Sequence, residues 1–226
     1  MSIHPKNTDY IDIHSHLGGE HPGIFRVYNL FLEDFYEEIE LDVFSCGLHP
    51  WHIKNYDDLE NLPEKLKKAI QHPSMIAIGE AGLDKIIPTE MEQQMSVFND
   101  QVELSEKYGK PMIIHCVKAF QQLLKIRKDM NARQPWILHG FNSSPQLAGD
   151  LVKKSIFISA SPRLMNNEAR CKKILESIPP DCLFIETDDE ETGIVEIYTQ
   201  IAGCLGMKSE QLRDQVQKNY RKIFSS

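Results

Sequence analysis

The sequence predicts an α/β protein, specifically a (β/α)8 TIM-type barrel with a shortened first repeat. Three observations predict it. Short apolar runs alternate with longer helical patterns along all 226 residues, and the runs number eight. Several runs are apolar at successive positions, which suits strands buried on both faces of a parallel sheet. No Gly/Ser tract, low-complexity segment or internal repeat divides the chain, so one domain over residues 1–226 is expected.

The expected strands are residues 10–14, 24–31, 42–48, 75–80, 111–115, 136–141, 155–159 and 182–187, rich in Ile, Val, Phe and Met. Between them, residues 89–108 carry Met91, Met95, Phe98 and Val102 at steps of four, three and four, one face of a helix. Residues 58–71, 118–130, 145–152 and 168–178 follow the same pattern. The tail has Ser209 as N-cap, then Leu212, Val216, Tyr220 and Ile223 on one face. The first connection breaks the rhythm. Residues 17–23, opened by Gly18-Gly19, are too few for a crossover helix. Either a short loop replaces that helix, or the second strand is misplaced.

Composition narrows the function. A net charge of -8 argues against a protein that coats nucleic acid non-specifically, because such binding needs a basic footprint. No apolar run is long enough for a bilayer, and MSIHPKNTDY is too polar for a signal peptide. Cys46, Cys116, Cys171, Cys182 and Cys204 are odd in number and form no CxxC pair, which reads as reduced thiols and a cytoplasmic protein.

The polar residues gather at strand ends. They are His14-Ser15-His16, His49 in GLHPW, Glu80 in IGE, His115 in MIIH, His139, and Asp188 after Thr187. Each alone is ordinary: an HxH near a strand end is often incidental, Gly82 after IGE reads as a turn glycine, and TDDEE (187–191) reads as a solvated acidic run. Four histidines, His14, His16, His115 and His139, with Glu80 and Asp188, at the ends of one barrel's strands are less ordinary, because that face carries barrel active sites. Residues two apart in a strand share a side, so His14 and His16 form a pincer with Ser15 facing away. Glu80 has two oxygens and can bridge two ions. His115 and His139 suit a second ion, and Asp188 can ligate the first. Two divalent ions against Glu80 and Asp188 leave a positive surplus that matches a phosphate, and paired ions suit phosphoryl transfer.

These residues resemble the TatD-type metal-dependent hydrolases, the TatD DNase family, within the amidohydrolase-like barrels. IDIHSHL resembles the opening D-x-H-x-H-L, GLHPW resembles G-x-H-P, and AIGEAGLD is close to A-I-G-E-x-G-L-D. The stretch 94–108, with Phe98, Gln101 and Glu103-Leu104, resembles the helix that precedes P-x-x-I-H, matched by PMIIHC. LHGF, FIETD and the run from Asn219 to Phe224 resemble the later motifs. The resemblance implies a two-metal barrel hydrolase, a deoxyribonuclease-like enzyme. It places His14, His16, Glu80 and Asp188 on one ion and Glu80, His115 and His139 on the other, with His49 near the substrate.

There are departures. The serine and arginine usual after the strand-five histidine are Cys116 and Val117, with Lys118 next, so a bidentate phosphate clamp becomes a point charge. TDDEE drops a proline and adds negative charge that repels a long polyanion.

The expectation is therefore a hydrolase of phosphoester bonds using two divalent ions, Mg2+, Mn2+ or Zn2+, with a metal-bound hydroxide as nucleophile. Asp188 and Glu80 are the catalytic residues, and His49 and Lys118 contact the substrate. DNA is admitted at the active site without an extended nucleic-acid surface, and no membrane is involved. Alternatives are hydrolysis of a small amide, lactone or cyclic ester, or a non-catalytic metal-binding barrel. Trp51, Phe141 and Arg163 are pocket-lining candidates that packing would explain equally well.

Overall fold

The computed structural model describes residues 4–16, 21–55 and 61–224. Its strands are β1 (Tyr10–Ser15), β2 (Ile24–Phe31), β3 (Phe44–Gly47), β4 (Met75–Asp84), β5 (Met112–Val117), β6 (Trp136–Leu138), β7 (Ile156–Ala160) and β8 (Leu183–Ile185). They form one sheet in sequence order. The β1/β2, β3/β4, β4/β5 and β7/β8 pairs are parallel. A parallel bridge between Ser15 and Asp188 brings the first strand against the chain that leaves the last. This is the expected (β/α)8 barrel. Every residue of β3, β4, β6, β7 and β8 is buried, which accounts for their unbroken apolar runs.

The described α-helices are α1 (Leu62–Gln71), α2 (Met91–Tyr108), α3 (Phe120–Asp129), α4 (Pro145–Val152), α5 (Glu168–Glu176), α6 (Ile194–Leu205) and α7 (Ser209–Phe224). Helix α6 has no counterpart in the sequence expectation. Its buried residues Ile194, Ile197, Tyr198 and Ile201 step by three, one and three, a helical beat that the preceding acidic run obscured. The second strand stands as expected, over Ile24–Phe31. Residues 17–20, including Gly18-Gly19, lie outside the described residues, as do residues 56–60 at the start of the helix expected from 58. Between β2 and β3 the described residues hold a 3-10 turn, Leu32–Asp34, and no α-helix, which the sequence did not lead one to expect. β2 accordingly has a half-buried, alternating pattern, unlike the strands that are buried throughout.

β4 runs four residues past its expected end, through Ala81-Gly82-Leu83-Asp84. Gly82 is therefore not a turn glycine. Its φ is +156°, and a Cβ there would fall 1.9 Å from the His115 carbonyl oxygen, so only glycine lets β4 pass this close to β5.

The chain divides into two compact units, Met1–Tyr28 with Ile137–Ser226, and Asn29–Trp136. In the first, α7 fastens the start of the sheet. Gln217 Nε2 donates to the carbonyls of Lys6 and Asp9 at 2.9 and 2.7 Å, and Asn219 Nδ2 donates to those of Pro180 and Leu183 at 2.8 Å each. Tyr198 of α6 donates its hydroxyl to the Ile11 carbonyl at 2.9 Å. In the second unit, α2 does the same at strand ends. Gln101 accepts from Leu48 N–H at 2.9 Å and donates to Leu48 C=O at 3.1 Å. Gln94 accepts from Asp84 N–H and donates to the Asp84 and Thr89 carbonyls, at 2.8 to 2.9 Å. Both glutamines are buried, and each satisfies backbone groups at the end of a strand or just past it.

None of the described helices is long and apolar enough to cross a membrane. The five cysteines are free thiols.

Replacing Gln101 by Leu keeps the volume and leaves two buried backbone groups unpaired. The variant is expected to lose about 2–4 kcal/mol of unfolding free energy, read from urea denaturation against the parent.

Candidate metal centre and active site

In the first unit, three donors meet where β1 ends against the segment after β8. His14 Nε2 lies 3.6 Å and His16 Nε2 3.7 Å from the same oxygen, Asp188 Oδ1. The potential ligand atoms of this trio lie within 4.8 Å of one another. His14 is fully buried, and His16 has a partly open side chain. The two rings meet edge to face with centroids 5.1 Å apart. The two histidines expected as a pincer lie against one carboxylate oxygen. The β1 register shifts between Asp12 and Ser15, and both of those residues bond Thr187.

The segment Glu186-Thr187-Asp188 is held from β1. Asp12 is fully buried, and its carboxylate accepts from Thr187 N–H at 2.9 Å, Thr187 Oγ1 at 2.8 Å and Arg26 Nε at 3.0 Å. Burial raises the Asp12 pKa, and these three donors pull against that rise. The backbone of Asp188 donates to the His14 carbonyl at 3.0 Å and accepts from His16 N–H at 2.9 Å. Asp188 sits at φ +58°, a left-handed conformation that costs a non-glycine residue and persists only where its surroundings impose it. His139 stands beside His14, with ring centroids 4.4 Å apart. Its Nδ1 is 3.9 Å from Glu186 Oε1, and that oxygen also accepts from Gly140 N–H at 2.5 Å.

In the second unit, Glu80 lies between two imidazoles. His115 Nδ1 is 2.9 Å and His49 Nε2 3.0 Å from Glu80 Oε1. The ligand atoms of these three buried residues also lie within 4.8 Å of one another. Asn29 Oδ1 accepts from Glu80 N–H at 2.8 Å and fixes the backbone there. The far nitrogen of His115, Nε2, is 3.3 Å from Asp84 Oδ2, which also accepts from Trp51 Nε1–H at 2.7 Å. Burial lowers the His115 pKa, but hydrogen bonds to Asp84 and Glu80 and their charges outweigh it and raise the value to about 9. Burial raises that of Asp84, yet the bonds from His115, Trp51 and Ile86 bring it to about 2. Burial holds His49 below the usual histidine range, against the hydrogen bond and charge of Glu80.

Imidazole and carboxylate together are the donor chemistry of zinc, manganese and related divalent ions, and each unit presents a trio of these donors. The side chains present therefore fit bound metal.

A family model described as TatD related DNase matches residues 32–225. The chain belongs to this TatD family. A Buchnera aphidicola protein named "Uncharacterized metal-dependent hydrolase BU355" is 29% identical over 172 residues, 73% of this chain and 64% of that protein's length. A protein of Erwinia billingiae named "3'-5' ssDNA/RNA exonuclease TatD" is 25% identical over 201 residues, 80% of this chain and 76% of that protein. The crystal structure of YJJV, a TatD homologue from Escherichia coli K12, covers 98% of this chain and 100% of its own, with a TM-score of 0.80 at 18% identity. That likeness shows the barrel fold. By family, the protein is a metal-dependent hydrolase of the TatD type.

Among the site residues anticipated for a TatD protein, the structure brings His14, His16 and Asp188 together, with His139 beside His14. It brings Glu80 and His115 together with His49, which the sequence placed at the substrate and the structure places within ligand reach. Lys118 is exposed just past β5, at φ +54°. Two buried carboxylates escaped the sequence reading, Asp84 beside His115 and Glu186 beside His139. Both lie inside the TatD-like strings AIGEAGLD and FIETD, which were the signal available. Asp84 adds a carboxylate beside the trio of Glu80, His49 and His115, while burial raises the pKa of Glu186 beside His139. The acidic run is also less bare than it reads. Arg163 Nη2 bonds Asp189 Oδ1 at 2.6 Å, its Nε is 3.4 Å from Glu190 Oε1, and its Nη1 is 3.8 Å from Asp188 Oδ2.

Asp12→Ala removes the acceptor that fixes Thr187 and Asp188. It is expected to cost about 3 kcal/mol in urea unfolding and to weaken Mn2+ binding, measured by calorimetry, roughly ten- to a hundredfold. Unchanged Mn2+ affinity in a folded variant would mean that Asp188 does not depend on this anchor.

Proposed function

We propose that the protein hydrolyses phosphoester bonds, with a nucleic-acid phosphodiester as the substrate class, and that it does so with two divalent ions. The observation that carries this is the pair of histidine–carboxylate trios, one in each unit. The exonuclease name of the Erwinia relative supports the substrate class. His14, His16 and Asp188 would hold one ion; Glu80 and His115 would hold the other, with His49 as a further donor. His139, beside His14, is the remaining ligand candidate. A bound divalent ion supplies Lewis acidity toward a phosphoryl oxygen and acidifies water.

The chain's own residues do the rest. Asp188, fixed by its backbone bonds to His14 and His16, accepts the proton of the attacking water. Glu80, anchored through Asn29, keeps His49 and His115 in place on its one oxygen. Two exposed cations beyond the second trio can meet the charge of a phosphate. Lys85 and Lys118 follow paired strand ends, joined by the Lys85 N–H bond to the Val117 carbonyl at 2.9 Å. The buried carboxylate of Asp84 beside His115 favours a second reading, a small ester, lactone or amide as substrate, because such a molecule brings no negative charge to be repelled.

The test is hydrolysis of bis(p-nitrophenyl) phosphate and short single-stranded oligonucleotides with Mg2+, Mn2+ or Zn2+, beside a panel of small lactones and amides. Glu80→Gln and Asp188→Asn are each expected to lower kcat at least 100-fold. A chelator should abolish turnover, and added ion should restore it. Phosphodiesterase activity that survives both substitutions sinks the mechanism, and turnover of lactones or amides alone selects the second reading. Lys118→Ala should raise KM several-fold with kcat nearly unchanged, an effect that fades as salt is added.

A further inference from the structure

Four large apolar side chains are exposed among the described residues: Tyr36, Trp51, Ile86 and Val195. Two of these residues bond one buried carboxylate, Trp51 through its side chain and Ile86 through its backbone. Trp51 Nε1–H donates to Asp84 Oδ2 at 2.7 Å, and Ile86 N–H donates to Asp84 Oδ1 at 3.0 Å. Asp84 is fully buried, and Gln94 grips its backbone on both sides. The indole is therefore located by its polar edge while 57% of its surface stays open.

Its aromatic neighbours do not cover it flat. His49 meets it at 88° with centroids 5.1 Å apart, and His115 at 74° with centroids 6.0 Å apart. Both of those histidines belong to the trio with Glu80. A tryptophan used as filler would be buried, as Trp136 is. An indole pinned by its N–H, open over more than half its surface and next to the candidate metal ligands, has the form of a contact for a flat ring.

We propose that Trp51 is the stacking platform for a nucleobase of the substrate. The proposal rests on the reading of the protein as a phosphodiesterase and adds how the substrate is recognised. An aromatic face accepts every base, because each base has a π-face, so recognition at this point is tolerant of sequence. The phosphate next to that base would lie toward His49 and His115, with the exposed Lys85 and Lys118 past the ends of β4 and β5 supplying positive charge.

Two measurements test this. The chain has two tryptophans, and Trp136 is buried, so a ligand-induced change in emission reports on Trp51. Titration of the full chain with dAMP should quench emission saturably, while inorganic phosphate and ribose 5-phosphate should not. The second measurement compares an oligonucleotide with a variant lacking the base beside the scissile bond. Trp51→Ala should raise KM roughly ten- to a hundredfold for the intact strand and leave the abasic strand unchanged. Trp51→Phe keeps a flat ring and loses the N–H bond to Asp84; it should stay within about threefold of the parent. Equal losses on both strands, a Phe variant as poor as the Ala variant, or no quenching by dAMP would each overturn the platform. The two readings separate cleanly. Quenching without cleavage of either strand removes the phosphodiesterase and keeps the platform, whereas cleavage that ignores the missing base does the reverse.

Discussion

The first trio depends on one buried carboxylate, Asp12. It binds both the amide and the hydroxyl of Thr187 and takes Arg26 as its counter-charge. Through that stitch β1 holds the segment after β8, and Asp188 keeps a left-handed backbone that it would not keep alone. The arrangement answers a general problem of parallel sheets. Where strands end, backbone donors and acceptors lose their ladder partners, and something else has to satisfy them. In this protein side chains do so repeatedly. Gln101 takes both backbone groups of Leu48 and Gln94 takes both of Asp84, while inside β4, where the register shifts, Asn29 takes the Glu80 amide. The residues that complete the backbone are thus neighbours of the ones that can hold metal. Precise ligand placement follows from the same bonds that close the fold.

Much of this was legible in the sequence because burial leaves a strong mark. The bounds of β2 and α4 agree with the apolar pattern, and the long face of α2 is visible in Met91, Met95, Phe98 and Val102. The histidines and acids at strand ends stood out because metal-binding types are rare neighbours of continuous apolar runs. What stayed hidden depended on contacts between distant segments. β4 continues past Glu80 because Gly82 permits a close approach to His115, and a glycine after a strand looks the same whether it turns or slides past a neighbour. Asp84 and Glu186 were overlooked because a carboxylate beside a histidine in space has no fixed spacing from it in sequence. Helix α6 was lost behind the acidic run that precedes it.

The departures from the family pattern can be weighed together. Losing an arginine after the strand-five histidine removes a fork-shaped phosphate donor, and Lys85 and Lys118 offer charge without that geometry. The added acids after Asp188 engage Arg163, so part of their charge is spent locally. The barrel also gives up α-helical cover over its second connection, where a 3-10 turn suffices. None of these changes touches the two trios themselves. The chain has altered the surroundings of its donors while retaining the donors.

Gln94 and Gln101 lie seven positions apart on α2. Seven residues make close to two full turns, so the two amides leave the helix in nearly the same direction, about 20° apart. The helix therefore acts as a ruler whose two marks are the ends of β3 and β4. Inserting or deleting one residue between the marks would swing one amide about 100° away and release a strand end along with the neighbouring metal donor. Length changes in this protein's descendants should therefore accumulate outside the interval from 94 to 101, in connections such as the one after β2, where no side chain is measuring.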